Sequence, residues 1–151
     1  MKNVKNLVVK VYEINAFNVY LATGKEVGTG LSLDGLVAGS EQVHSFTESP
    51  FRRVRREFTF AELNGKRGVW MIELIGGGRS SRALIRKGGL HYLSRQSVAG
   101  TVLSVFDQSD QPVRGGSVWV AGREYQADKN GGITIPFSTR PGRQPMILRD
   151  P

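Results

Sequence analysis

Apolar residues along this chain alternate with polar ones and nowhere recur at the period of an amphipathic helix. Leu7, Val9 and Val11 alternate with Val8, Lys10 and Tyr12, and Asn18-Val19-Tyr20-Leu21 follows as a second extended run, so two strands are predicted at the start. Leu31-Ser32-Leu33 meets Leu36-Val37 through Asp34-Gly35, a dipeptide suited to the type I′ turn of a tight hairpin. Ser40 to Pro50 is polar and reads as a loop. Phe58 and Phe60, two positions apart, share one face of a further strand, and the single brief helix the pattern allows is at Phe60 to Leu63.

The longest apolar run is Val69 to Ile75, interrupted only by Glu73 and followed by Gly76, Gly77 and Gly78. Glycine supplies the positive φ of a tight reversal, and Ala83-Leu84-Ile85 offers a second run to pair with the first, so Gly68 to Gly89 is predicted to form the central hairpin. Asn64-Gly65 is a turn that leads into it. After Leu90 to Leu93, the polar Ser94 to Ser97 reads as a junction, which places a domain boundary near Gln96 and gives domains 1–95 and 96–151. Val98 to Phe106 alternates again, DQSDQP makes a turn, and Val118 to Val120, Tyr125 and Ala127 follow. Asp128 to Gly132 is a last turn before Ile133, Ile135 and Phe137, whose Pro136 lacks a ladder donor and suits an edge strand. Strands spaced about ten residues apart make the expected fold class all-β, with antiparallel β-sandwich modules in tandem.

Two stretches carry family resemblances. GTVLSVFDQSDQPVRGGSVWVAGREYQADKNGGITIPF resembles the carboxypeptidase-regulatory-like and prealbumin-like β-sandwich modules, in which a strand, an Asp-rich turn ending in Pro-Val, another strand and a D-x-x-G turn recur in this order. The first half, with LVVKVYEIN, LSLDGL and GVWMIELIGGGRSSRALIRKG, is similar to a macroglobulin-type, immunoglobulin-like β-sandwich domain of the alpha-2-macroglobulin family. That resemblance implies a scaffold piece of a large exported or cell-surface protein. The family's Cys-Gly-Glu-Gln thioester motif is missing, so peptidase trapping is not implied for these residues. The strand-like Met146-Ile147-Leu148 just before the last residues reads as part of something longer.

The composition narrows the picture. A chain of 151 residues has enough apolar material for a core, and 21 Lys and Arg against 13 Asp and Glu leave a net charge of +8, which favours polyanions or acidic surfaces. Without cysteine there is no disulfide and no Cys-based zinc site. The stretch after Met1 is broken by Lys10 and lacks a small-residue cleavage site, so it reads as a strand rather than a signal peptide. No run approaches the roughly 20 apolar residues of a transmembrane helix.

Candidate chemistry gathers at two basic clusters. Around the glycine turn, Arg79, Ser80, Ser81, Arg82, Arg86 and Lys87 combine cations with free backbone N–H groups, as in an anion-binding concavity, or else form a solvated hairpin. Arg52, Arg53, Arg55 and Arg56 precede a strand. If that stretch is extended, Arg52 and Arg56 share a face with Val54 between them, while Arg53 and Arg55 point the other way. Asp107, Asp110, Asp128 and Asn130 offer oxygens for calcium, but the same residues favour plain turns. His44 and His91 lie in no catalytic or metal-binding spacing, G-x-S-x-G is absent, and Trp70 and Trp119 read as core. With no catalytic, cofactor or metal motif, the residues point to a non-enzymatic structural or interaction module. Its partners would be another protein or adjacent domains of a longer chain, and the alternative is a polyanion such as nucleic acid or sulfated glycan. The small second domain, lacking disulfide and metal, is expected to be marginal alone.

Overall fold

The computed structural model describes residues 3–49, 51–139 and 142–151; Met1, and Pro50 at the end of the polar stretch, lie outside them. The chain is mostly β, all of its strands pair antiparallel, and it divides into two compact units, Met1–Lys87 and Gly88–Pro151.

The first unit contains β1 (Asn6–Ile14), α1 (Ala16–Thr23), β2 (Ser40–Ser45), a 3-10 turn (Ala61–Leu63), β3 (Gly68–Gly76) and β4 (Arg79–Lys87). Its sheet runs β2-β1-β3-β4. Alternation along β1 and β3 splits the core in two. On one face Leu7, Val9, Val11, Trp70 and Ile72 are buried beneath Leu63 and the half-buried Phe46, Phe58 and Phe60. On the other, Tyr12, Ile14 and Met71 lie beneath Val27 and Leu33 with Ala16, Val19 and Leu31. The covering residues come from the connections between strands, so loops and one short helix supply the layers over this sheet.

The central hairpin forms as its sequence predicts: Gly76 pairs with Arg79, and Gly77 and Gly78 take φ of +60° and +73°, both in the left-handed region that a type I′ turn needs. Elsewhere context overrides the pattern. The strand expected over Asn18 to Leu21 is helical, because the Asn15 side chain accepts from the Asn18 N–H at 3.0 Å and Gly24 closes the helix in the left-handed region with its N–H on the Tyr20 carbonyl. Around Asp34-Gly35 only Gly35 has positive φ, so the turn is not type I′; Leu31 and Leu33 are loop residues packed over the sheet, and Val37 is an exposed loop residue. The polar Ser40 to Ser45 is a strand after all, paired along its length with the free edge of β1. Phe58 and Phe60 sit in coil, while the brief helix at Ala61–Leu63 is present and tied to β2 by a Ser40 hydroxyl donating to Glu62 at 2.7 Å. That hydrogen bond also lowers the Glu62 carboxyl pKa below its ordinary value.

The second unit contains β5 (Leu90–Ser97), β6 (Gly100–Asp107), β7 (Ser117–Val120), β8 (Arg123–Gln126), β9 (Gly132–Ile135) and β10 (Met146–Arg149). Two three-stranded sheets, β5-β6-β9 and β10-β7-β8, share a core: Leu103, Val105 and Ile133 from one, Val118 from the other, with Leu90, Val120, Tyr125, Met146 and Leu148 around them. β9 is an edge strand and Pro136 ends it, leaving Phe137 exposed rather than on the core face. Trp119 is half-buried and outside the core cluster, because it alternates with the inward-facing Val118.

The junction expected at Ser94–Ser97 belongs to β5, which pairs with β6 from Leu90 to Ser97, so the units part at Lys87/Gly88 rather than near Gln96. A fragment beginning at Gly88 is therefore expected to melt cooperatively, whereas one beginning at Gln96 loses Leu90 from the core and bares the edge of β6. Thermal melts of the two fragments check this, and equal midpoints would show that β5 contributes nothing. Gly100 provides a sharper test, since it holds φ +136° and an added Cβ would lie 2.1 Å from the Ile135 carbonyl oxygen. Gly100→Ala is expected to cost more than about 2 kcal/mol by forcing β6 and β9 apart, and Gly122→Ala, at φ +80° in open space, about 1 kcal/mol. Urea unfolding of both variants measures the difference.

Candidate functional site

The cations of the central hairpin do not converge. Positions on β4 alternate between the two faces of its sheet, and each cation follows its face. Arg82 reaches the Glu73 carboxylate with Nε and Nη2, both at 3.0 Å, and donates from Nη1 to the Leu31 carbonyl at 2.9 Å. Two turns of alternation further, Arg86 donates to the Val27 carbonyl at 2.6 Å and pairs with Glu26 at 3.4 Å. On the opposite face the Lys87 ammonium donates to the Leu63 carbonyl, the last residue of the 3-10 turn. Three of the six expected anion-binding residues thus hold covering segments onto the sheet. Arg79, Ser80 and Ser81 stand exposed beside the turn.

The other basic cluster is arranged differently. The first unit carries fourteen Lys and Arg against eight Asp and Glu, so most of the chain's positive excess resides there. Between Phe51 and Phe60 the chain runs outside any strand, with Val54, Phe58 and Phe60 half-buried and Arg53, Arg55, Glu57 and Thr59 exposed between them. Arg56 pairs with Glu48, and its guanidinium lies 4.7 Å from the centre of the Phe46 ring. Arg52, Arg53 and Arg55 have no side-chain hydrogen bond or ion pair among the described residues. Arg52, Val54 and Arg56 border a shallow depression whose other walls include Val4, Phe46 and Glu48. The Phe46 N–H on the Lys5 carbonyl, at 2.7 Å, brings the end of β2 beside the start of β1 and so assembles this depression. Nothing in the sequence pattern announces it, because Val4 and Phe46 meet only through strand pairing.

His44 stacks with Phe46 and meets Phe58 at a tilt of 59°, and His91 stacks on Phe106 with Nε2 3.0 Å from Asp110. The Asp107 carboxylate accepts from the Ser109 and Gln111 N–H groups, and Asp128 accepts from those of Asn130 and Gly132, all within 3.0 Å. Both carboxylates face the backbone of their own turns. Among the described residues no three His, Asp or Glu side chains cluster as a metal site, and no helix is long and apolar enough to cross a membrane.

Residues 7–88, from the start of β1 to just past the end of β4, match the family model of the AbpF first immunoglobulin-like domain. The chain belongs to this family. Over 149 residues, 98% of its length, it is also 40% identical to actin-binding protein F of Dictyostelium discoideum, of which it spans only 6%. Among solved structures it is similar to the crystal structure of native alpha-2-macroglobulin from Escherichia coli spanning domains NIE-MG1, at 12% identity and a TM-score of 0.47, covering 97% of this chain and 84% of that one. The likeness is too distant to bear on function. The expected immunoglobulin-like character of the first unit holds, and the family boundary coincides with the end of that unit.

If Arg82 serves the fold, its loss should register as stability. Arg82→Met takes the guanidinium from Glu73, whose side chain is 12% exposed and keeps the Tyr12 hydroxyl at 3.5 Å, and frees the Leu31 carbonyl, for an expected cost of about 1–3 kcal/mol. Arg79→Met is expected within about 0.5 kcal/mol of the parent. Urea midpoints decide between them, and equal losses would show that Arg82 pins nothing.

Proposed function

We propose that this chain is a non-enzymatic protein-interaction module of a larger actin-binding protein. The observation that carries the reading is the 40% identity running along 98% of the chain to a protein named for binding actin. In this reading the second unit is a carboxypeptidase-regulatory-like sandwich whose turns are closed by Asp107 and Asp128.

A polyanion site built on the hairpin has less support, because Arg82, Arg86 and Lys87 already direct their donors at carbonyls of the same unit. Co-sedimentation with filamentous actin tests the leading reading. The chain is expected in the pellet in proportion to actin, with binding that saturates; recovery in the supernatant at every actin concentration would remove actin from its partners.

A further inference from the structure

We propose that the Phe51–Arg56 segment and the depression beside it form a docking surface for an extended acidic segment of a partner protein. The inference rests on the protein-interaction reading and names the surface and the chemistry of what it takes. Three guanidinium groups, those of Arg52, Arg53 and Arg55, are exposed and unengaged among the described residues, whereas the hairpin cations Arg82, Arg86 and Lys87 have internal partners. Guanidinium is suited to carboxylate because its planar fork donates to both oxygens at once.

The arrangement around those arginines selects among anions. Arg52 faces the depression together with Val54 and Phe46, while Arg53 and Arg55 stand exposed on the alternate positions. Cations on two sides of one segment suit a ligand that presents carboxylates at intervals; the depression itself is small and walled mainly by polar surface from Asn3, Glu48, Ser49 and the arginines, so it takes no bulky side chain. Glu48 lines the depression and Glu57 is exposed next to Arg56, so an unbroken run of phosphates would meet carboxylates that a spaced acidic peptide can step over. The exposed positions give the site its charge, and the half-buried ones fix it to the core through Phe58 and Phe60.

Fluorescence anisotropy with the full chain tests the proposal, using a labelled peptide of Glu-Glu-Leu repeats, its Gln-Gln-Leu counterpart and an oligothymidylate. The acidic peptide is expected to bind, more weakly as salt rises, and the neutral one not to bind. The double variant R53E/R55E, at exposed positions, is expected to lose affinity by about tenfold or more, whereas R79E, outside the segment, leaves it unchanged. Equal affinity of R53E/R55E and the parent would overturn the surface, and so would an oligothymidylate that binds as tightly as the peptide. Actin pelleting separates this outcome from the reading beneath it. A parent chain that binds the acidic peptide but not actin removes only the actin partner, and one that pellets with actin but does not bind the acidic peptide removes only this surface.

Discussion

β3 has no side that faces water. Trp70, Met71 and Ile72 are consecutive, point alternately to opposite faces of the sheet, and are 2%, 0% and 3% exposed. An antiparallel sheet can leave one face wet, but a strand with this sequence cannot, so both faces of β2-β1-β3-β4 must be covered. The cover comes from the connections: α1 and the loop carrying Val27 and Leu33 on one side, Phe58, Phe60 and the Leu63 turn on the other. Most of the departures from simple alternation follow from that need. Segments rich in single apolar residues became lids, and the polar Ser40 to Ser45 was left for an edge.

Loops that cover a sheet lack the ladder hydrogen bonds that hold strands together, and here side-chain donors from β4 replace them. Arg82 and Arg86 grip one lid by its carbonyls and Lys87 grips the other. The charges that made the hairpin look like a ligand site are therefore part of its architecture, and a charged group so engaged is poorly placed to serve a partner as well. Where the same unit has cations without such work, at Arg52, Arg53 and Arg55, the surface is open to an acidic partner. The engaged hairpin cations are Arg82, Arg86 and Lys87, while Arg79 of the same hairpin stands exposed.

The second unit solves the covering problem in another way. Two small sheets bury Leu103, Val105, Val118 and Ile133 between them, and its carboxylates are spent on turn geometry, Asp107 before β7 and Asp128 before β9. Each carboxylate accepts from backbone N–H groups of its own turn.

What the sequence determined by itself was the local and the periodic. All-β character follows from alternation, the central reversal from Gly77-Gly78, the edge position of β9 from Pro136, and the turns at Asp107 and Asp128 from side chains that bond their own backbone. The bulk of Val19 and Tyr20 read as a strand, and the structure shows instead a helix capped by Asn15 and stopped by Gly24. Tertiary structure alone decided the rest. Ser40 to Ser45 and Ser94 to Ser97 became strands because a neighbouring edge offered backbone partners, a gain that side-chain polarity does not record. Likewise no pattern in the chain separates Arg82 from Arg53, since which guanidinium finds a carbonyl depends on where distant loops come to rest over the sheet.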